Sequence, residues 1–242
     1  MRPILLVRRK YALAAGADLA DHYAELGITE LDLRITPVGG DDEGIHKIRS
    51  VFSITDTFAD AGIRILLGCS GNIGQTAFAL GHIAGYSVGI GMRERVDYSG
   101  TLSRQSRPRD EDDDSQHFGP QAGVYLPGLA ATVGRAIARQ LLDDQQVRTR
   151  ISCRLGNCAS NIAGPAADPR GHYLHSRAHE VAGLLNRPLQ WRGSMEADRL
   201  QRSLDLRELV NNHHLPADAH PLRTRTLRSL LEDIDIEQRR SA

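Results

Sequence analysis

The sequence predicts an α/β fold, a partial (β/α) barrel over residues 1–119 followed by an α-rich C-terminal part over residues 120–242. Two observations carry that prediction. Short apolar runs alternate with helical stripes through the first ninety residues, and helical spacing dominates after residue 128.

Residues 4–7 (ILLV) form a short apolar run suited to a buried strand. Residues 18–26 have helical spacing and stop at Gly27. Residues 31–36 alternate as a strand does and end at Pro37-Val38-Gly39-Gly40. From Ile45 the apolar residues Ile48, Val51, Phe52, Ile54 and Phe58 follow a helical stripe that stops at Gly62. Residues 63–67 read as the third strand, 73–84 as an Ala-rich helix and 86–90 as the fourth strand. Parallel neighbours need a crossover, and a helix supplies it. Four strands do not close an eight-stranded barrel. The pattern therefore predicts a small open sheet, or half a barrel completed by later strands, a second copy or a partner subunit.

Residues 92–119 hold a mixed-charge stretch that includes Arg104, Arg107, Arg109 and the acidic run 110–114. It reads as a solvated loop or as an ordered lid. Beyond it, helical spacing covers residues 129–142, 172–185, 196–210 and 222–236.

The 30 basic and 30 acidic side chains cancel, so no global field steers a polyanion, and any nucleic-acid surface must come from segregated charge. Only Lys10 and Lys47 are lysines, leaving 28 arginines, whose planar fork suits phosphate and carboxylate. A GC-rich genome would give the same bias. No window approaches the ~20 apolar residues of a membrane span, and the apolar stretch at the N-terminus is short for a signal peptide. The sequence reads as that of a soluble, cytoplasmic protein. Three cysteines (Cys69, Cys153, Cys158) make a disulfide scaffold a poor reading.

Three constellations carry chemistry. The loop Gly68-Cys69-Ser70-Gly71-Asn72-Ile73-Gly74 follows a strand and opens a helix, at the carboxyl end of the sheet where ligands bind. Its glycine spacing is not the dinucleotide fingerprint, so it is either a tight turn or a substrate-contacting loop built on Gly68, Gly71, Asn72 and Gly74. Cys69 reads as a small buried hydrophobe. Glu94 and Asp97, beside Arg93 and Arg95, lie just past the fourth strand, where arginines keep a carboxylate ionised for nucleophilic work. Surface ion pairing is the alternative there. Asp32 shares side-chain parity with Arg34 on the second strand and is a third candidate acid.

The strongest signal is Cys153-x4-Cys158, then thirteen residues, then His172, His175 and His179. Histidines three or four apart on a helix face one way, so His172 with His175, or His175 with His179, can join the two thiolates. Two sulfurs and two nitrogens in tetrahedral array suit zinc. A metal would order the Gly/Pro/Ala-rich segment 159–171, and the C-terminal part is read as a helical zinc-binding subdomain. His213, His214 and His220 read as solvent-facing loop residues.

A strand ending in Leu67-Gly68-Cys69-Ser70-Gly71-Asn72-Ile73-Gly74, another ending near Glu94 and Asp97, and a Cys/His cluster running into Tyr173-Leu174-His175 resemble the carboxyl-terminal half of the tRNA-guanine transglycosylase superfamily. That superfamily comprises queuine and archaeosine tRNA-ribosyltransferases and relatives that insert deazaguanines into DNA. The resemblance runs from about residue 28 to about residue 185. The chain departs from the family's three-cysteine zinc motif, since Ala159 follows Cys158 and a second histidine must substitute. Its glycines are also split rather than doubled.

The resemblance implies a zinc subdomain on a barrel and base exchange at a glycosidic bond in tRNA or DNA. Asp97 or Glu94 would attack the sugar carbon, the glycine loop would floor the base pocket, and Arg104, Arg107 and Arg109 would meet phosphates. It also implies that the rest of the barrel comes from a partner or a second copy. Two other readings stand beside it: a non-catalytic zinc-containing nucleic-acid-binding or assembly subunit, and an unrelated small-molecule barrel lyase.

Overall fold

The computed structural model describes residues 2–87, 94–98, 123–156, 158–216 and 219–241. The first half runs β1 (Ile4–Arg8), α1 (Arg9–Glu25), β2 (Glu30–Thr36), β3 (Val38–Gly39), α2 (Ile45–Asp60), β4 (Arg64–Leu67), α3 (Gly71–Leu80), β5 (Gly85–Tyr86) and β6 (Arg95–Val96). Strands β1, β2, β4 and β5 form a parallel sheet in that order, so each βα unit lays its strand beside the previous one. The short strands β3 and β6 pair antiparallel as a separate ribbon.

Side-chain alternation decides which face of the sheet is covered. Leu31, Leu33 and Ile35 of β2, with Val7, Ile65 and Leu67 beside them, are buried in one cluster with Ile48, Val51, Phe52, Ile54 and Phe58 of α2. Asp32 and Arg34 have the opposite parity and are partly exposed. The α2 stripe is the one its spacing predicts. Helix α1 begins at Arg9 rather than at Asp18, because its N-terminal half packs through small residues, Ala12 and Gly16, which leave no large apolar stripe to read. A Cβ on Gly16 would already lie 3.9 Å from Thr57 Cγ2.

The second half runs β7 (Val124–Leu126), a 3-10 turn (Pro127–Leu129), β8 (Ala131–Val133), α4 (Arg135–Asp143), α5 (Gln145–Ile151), α6 (Ala163–Ala167), α7 (Pro169–Leu185), α8 (Leu189–His213) and α9 (Arg225–Ser241). The expected helix over 129–142 is replaced at its start by the antiparallel β7/β8 hairpin. Pro127 and Gly128 turn the chain, and helix begins only after Gly134. His214 is half-buried, its Nδ1 2.6 Å from Asp144, rather than solvent-facing.

Helix α8 joins two cores. Its Leu200 and Leu204 pack, with Leu227, Leu230 and Ile234 of α9, into the sheet's cluster. Its Leu206 and Val210 pack into a second cluster built on the hairpin, α4 and α5. The first cluster thus draws residues from both sides of position 119. No helix among the described residues is long and apolar enough to cross a membrane.

Phe58 has no exposed surface. Phe58→Ala is expected to lower unfolding free energy by about 3–5 kcal/mol, through lost burial and the cavity left behind. Tyr11→Ala, at an exposed position, should stay within about 0.5 kcal/mol in the same urea titration.

Candidate functional site

The local structure around α7 begins with an N-cap legible in the sequence. Asp168 accepts a hydrogen bond from the Gly171 amide (2.9 Å), and Pro169 occupies the first turn. One helical turn on, His172 and His175 lie on one face with their rings 5.1 Å apart. The loop after α5 brings two thiols to that face. Cys153 Sγ lies 3.4 Å from His175 Nε2, and Cys158 Sγ lies 3.5 Å from His172 Nδ1. The four ligand atoms all fall within 4.8 Å of one another. A tetrahedral centre with metal–sulfur bonds of about 2.3 Å and metal–nitrogen bonds of about 2.0 Å has sulfur–nitrogen edges of about 3.5 Å. Cys153, Cys158, His172 and His175 therefore form a cluster able to hold a metal ion.

The surroundings favour the ligating form of His172 and leave Cys158 a thiol until a cation binds. His172 Nε2 donates to the Tyr125 carbonyl (2.7 Å), which leaves Nδ1 as the free acceptor facing Cys158. Burial holds the His172 pKa below its usual value, so the imidazole stays neutral. Burial, followed by repulsion from Cys153, pushes the Cys158 thiol up to about 11; a bound cation reverses that cost. The Ser176 hydroxyl donates to Cys153 Sγ (3.9 Å). His179, the other histidine the spacing offered, is exposed and outside the cluster.

The next turn of α7 carries a second constellation. Arg177 is only 2% exposed. Its guanidinium donates to Glu94 through Nε (2.8 Å) and Nη2, and through Nη1 to Glu180 (2.8 Å) and Gln75 (3.1 Å). Its Cζ lies 4.6 Å from the centroid of the Tyr125 ring. Burial works against the charge, but Glu94, then Tyr125 and Glu180, outweigh it and raise the pKa well above the ordinary guanidinium value. Tyr173 donates its hydroxyl to Glu94 (2.8 Å), and Tyr125 donates to Glu180 (2.8 Å). Burial foremost raises both phenol pKa values, so each remains a donor. A neighbouring net joins it, in which Gln75 and Thr76 of α3 donate to the wholly buried Glu196, which pairs with Arg199.

These contacts bring Glu94 onto the glycine loop. Gly71 has φ +52, and a Cβ there would collide with the Glu94 side chain. Gly71, Asn72 and Gly74 are buried at the start of α3. Asn72 donates to the Ala130 carbonyl (2.9 Å) and accepts from Arg199 (3.1 Å). Gly68 is approached by Asp32, whose Oδ1 would lie 2.7 Å from an added Cβ, and Asp32 itself pairs with Arg34 at 3.3 Å. Cys69 is half-buried with φ +51, in place of the buried small hydrophobe expected. Asp97 is exposed and bound to Arg95 (3.0 Å). A cleft of about 500 Å³ is lined by Glu94, Asp97, Asp41, Tyr98 and Thr132.

Asp32, Gly68, Gly71, Asn72, Gly74 and Glu94 thus gather at the carboxyl end of the sheet, and Asp97 lies on the cleft beside them. Arg104 and Arg107, with Arg109, the charged loop and most of the expected fourth strand, fall outside the described residues. Sequence reasoning passed over Arg177, Glu180, Gln75 and Arg199. One signal was available: Tyr173, Arg177, Glu180 and Leu184 share a helical face, and an Arg/Glu pair on a face with Tyr and Leu marks a buried ion pair. The chain matches no protein-family model, no curated protein and no solved structure.

Two predictions follow from this geometry. Protein purified without chelator should carry about one metal equivalent per chain, by elemental analysis; Cys153→Ala and His172→Ala should each lose it, and His179→Ala should keep it. Arg177→Met should cost about 3–5 kcal/mol in denaturant unfolding, because Glu94 and Glu180 are left buried without their cation.

Proposed function

We propose that the protein is a zinc-containing, transglycosylase-like protein that exchanges guanine in tRNA or DNA for another purine-like base. One observation carries this reading: a single helix, α7, presents the metal-binding histidines on one turn and clasps the carboxylate over the glycine loop on the next. Zinc is the metal that two thiolates and two imidazoles in tetrahedral array suit best, and it would act here as a structural clamp.

The chemistry falls to this chain's own side chains. Asp97, paired with Arg95 and facing the cleft, bonds through a carboxylate oxygen to the sugar carbon as the carbon–nitrogen bond to guanine breaks. Glu94, which covers Gly71 and lines the cleft, is held there by Arg177 and Tyr173 to position the base, and the loop from Gly68 to Gly74 backs that wall. Guanine leaves with the bonding pair and takes a proton on its ring nitrogen; the incoming base gives up its own ring-nitrogen proton as it displaces the carboxylate, so the proton count is restored. Arg104 and Arg107 are assigned to the phosphates of the polynucleotide.

The partial-barrel reading draws on strand order. Each strand is added beside the last, as in a wedge of a (β/α)8 barrel, whereas a doubly wound sheet reverses direction. A second copy or a partner subunit would supply the remaining strands, with Asp32 and Arg34 facing the interior. A second reading, a non-catalytic zinc-containing nucleic-acid-binding subunit, is favoured by the full engagement of Glu94 Oε1 and of the Asn72 amide in internal hydrogen bonds.

Exchange of radiolabelled guanine into tRNA and into duplex DNA decides between them. The first reading expects exchange that Asp97→Ala lowers on the order of a thousandfold with the melting temperature unchanged. Wild-type protein that holds its zinc and binds polynucleotide without exchanging guanine would establish the second.

A further inference from the structure

We propose that the cavity enclosed by the 3-10 turn, the end of α5, α7 and α8 is a binding site for a phosphate ester of nucleotide size. Its volume is about 510 Å³, in the range that takes small organic ligands and far larger than a bare phosphate requires. Four arginines line it, Arg150, Arg154, Arg199 and Arg202, against a single carboxylate, Glu180. The buried Glu196 behind the wall offsets Arg199, so four positive charges less two negative leave the site at +2, counting His179 as neutral. Glu180 is already engaged by Arg177 and Tyr125.

Two of the four arginines are not balanced internally. Arg150 and Arg202 are exposed and have no hydrogen-bond or ion-pair partner among the described residues. Arg199 gives two nitrogens to Glu196 and Asn72, but its Nη1 is buried without a partner. The free guanidinium forks of Arg150 and Arg202 are the donors left to meet an acceptor. A carboxylate would neutralise one charge; a phosphate brings up to two charges and several acceptor oxygens matched to the arginine fork. The remaining wall sets Leu155, Leu206 and Pro127 beside the hydroxyls of Ser152, Ser176 and Ser203, a mixture that suits a sugar or base.

The cavity adjoins the site already described, since Cys153 lines it and Arg199 reaches Asn72. None of its lining residues belongs to the glycine loop or to the candidate acids, and Arg150 and Arg202 take no part in either, so binding there is tested without turnover. The phosphate has two sources, the monoester of a free nucleotide or the diester of a strand. Titration of the full chain with adenosine 5′-monophosphate, and with a fluorescein-labelled oligothymidylate followed by anisotropy, separates them. Arg150→Glu/Arg202→Glu should weaken binding of at least one probe by about tenfold or more. Arg139→Glu/Arg170→Glu, an equal charge change at exposed positions outside the cavity, should stay within about twofold. Loss confined to the mononucleotide assigns a monoester pocket, and loss confined to the strand assigns a diester contact. No binding of either probe, or equal loss in both double variants, overturns the proposal. Thermal melting checks each fold, and Arg202→Gln alone keeps the test open where the double variant is unstable.

Discussion

The guanidinium of Arg177 is the contact on which the arrangement of this protein depends. It is buried, and besides the local bond to Glu180 its contacts cross to parts of the chain far apart in sequence: Glu94 before β6, Gln75 on α3, and Tyr125 on β7. A charge taken out of water must be met on all sides or the helix carrying it moves. Here it is met by two carboxylates, an amide oxygen and an aromatic face. That requirement fixes α7 in rotation and along its axis. Rotation places His172 and His175 against the loop of Cys153 and Cys158, one turn away.

The wider polar net obeys the same rule. Two guanidiniums, Arg177 and Arg199, face three carboxylates, Glu94, Glu180 and Glu196, so the cations alone do not balance it. Each carboxylate also receives a neutral donor. Tyr173 serves Glu94, Tyr125 serves Glu180, and Gln75 with Thr76 serves Glu196. Burial raises the two phenol pKa values, and the phenols remain protonated in consequence. Arg207 makes a parallel contribution on α8: it donates to the Leu129 and Ala130 carbonyls and to Asp41, joining the hairpin turn to the loop before α2. Such groups add less to stability than apolar side chains of equal volume would, but they tolerate only one mutual placement.

What the sequence disclosed follows the range of the forces involved. The α2 stripe and the alternation of β2 are local periodicities, and both are visible in the chain itself. The pair of histidines able to hold a metal is local too, since three residues on a helix return to the same face. The choice of His172 over His179 was not local; it depends on where the loop of Cys153 and Cys158 lands. The β7/β8 hairpin was hidden because Leu129, Ala130 and Ala131 favour helix, while Pro127-Gly128 and the pairing of Val124 with Val133 decide otherwise. Arg177 was hidden for a further reason. An arginine in a histidine-rich, polar helix reads as solvent-facing until its partners at positions 75 and 94 are known.

Glu94 shows how placement and reactivity compete at one residue. Its Oε1 takes donors from Tyr173 and Arg177, which hold the carboxylate against the Cβ-free face of Gly71. A carboxylate so engaged is a weak nucleophile, because its charge is already shared among strong donors. It is also a stiff one, unable to follow a reacting carbon. Asp97 differs in its exposure: it is paired with Arg95 at the surface, lies three residues on, and sits beyond the β6 strand whose pairing with β3 is anchored where Glu94 meets Gly39. The division between a clamped carboxylate that shapes the loop and a solvated one that faces the cleft follows from their surroundings alone. Two acids close in sequence can then serve one site without repelling each other out of it.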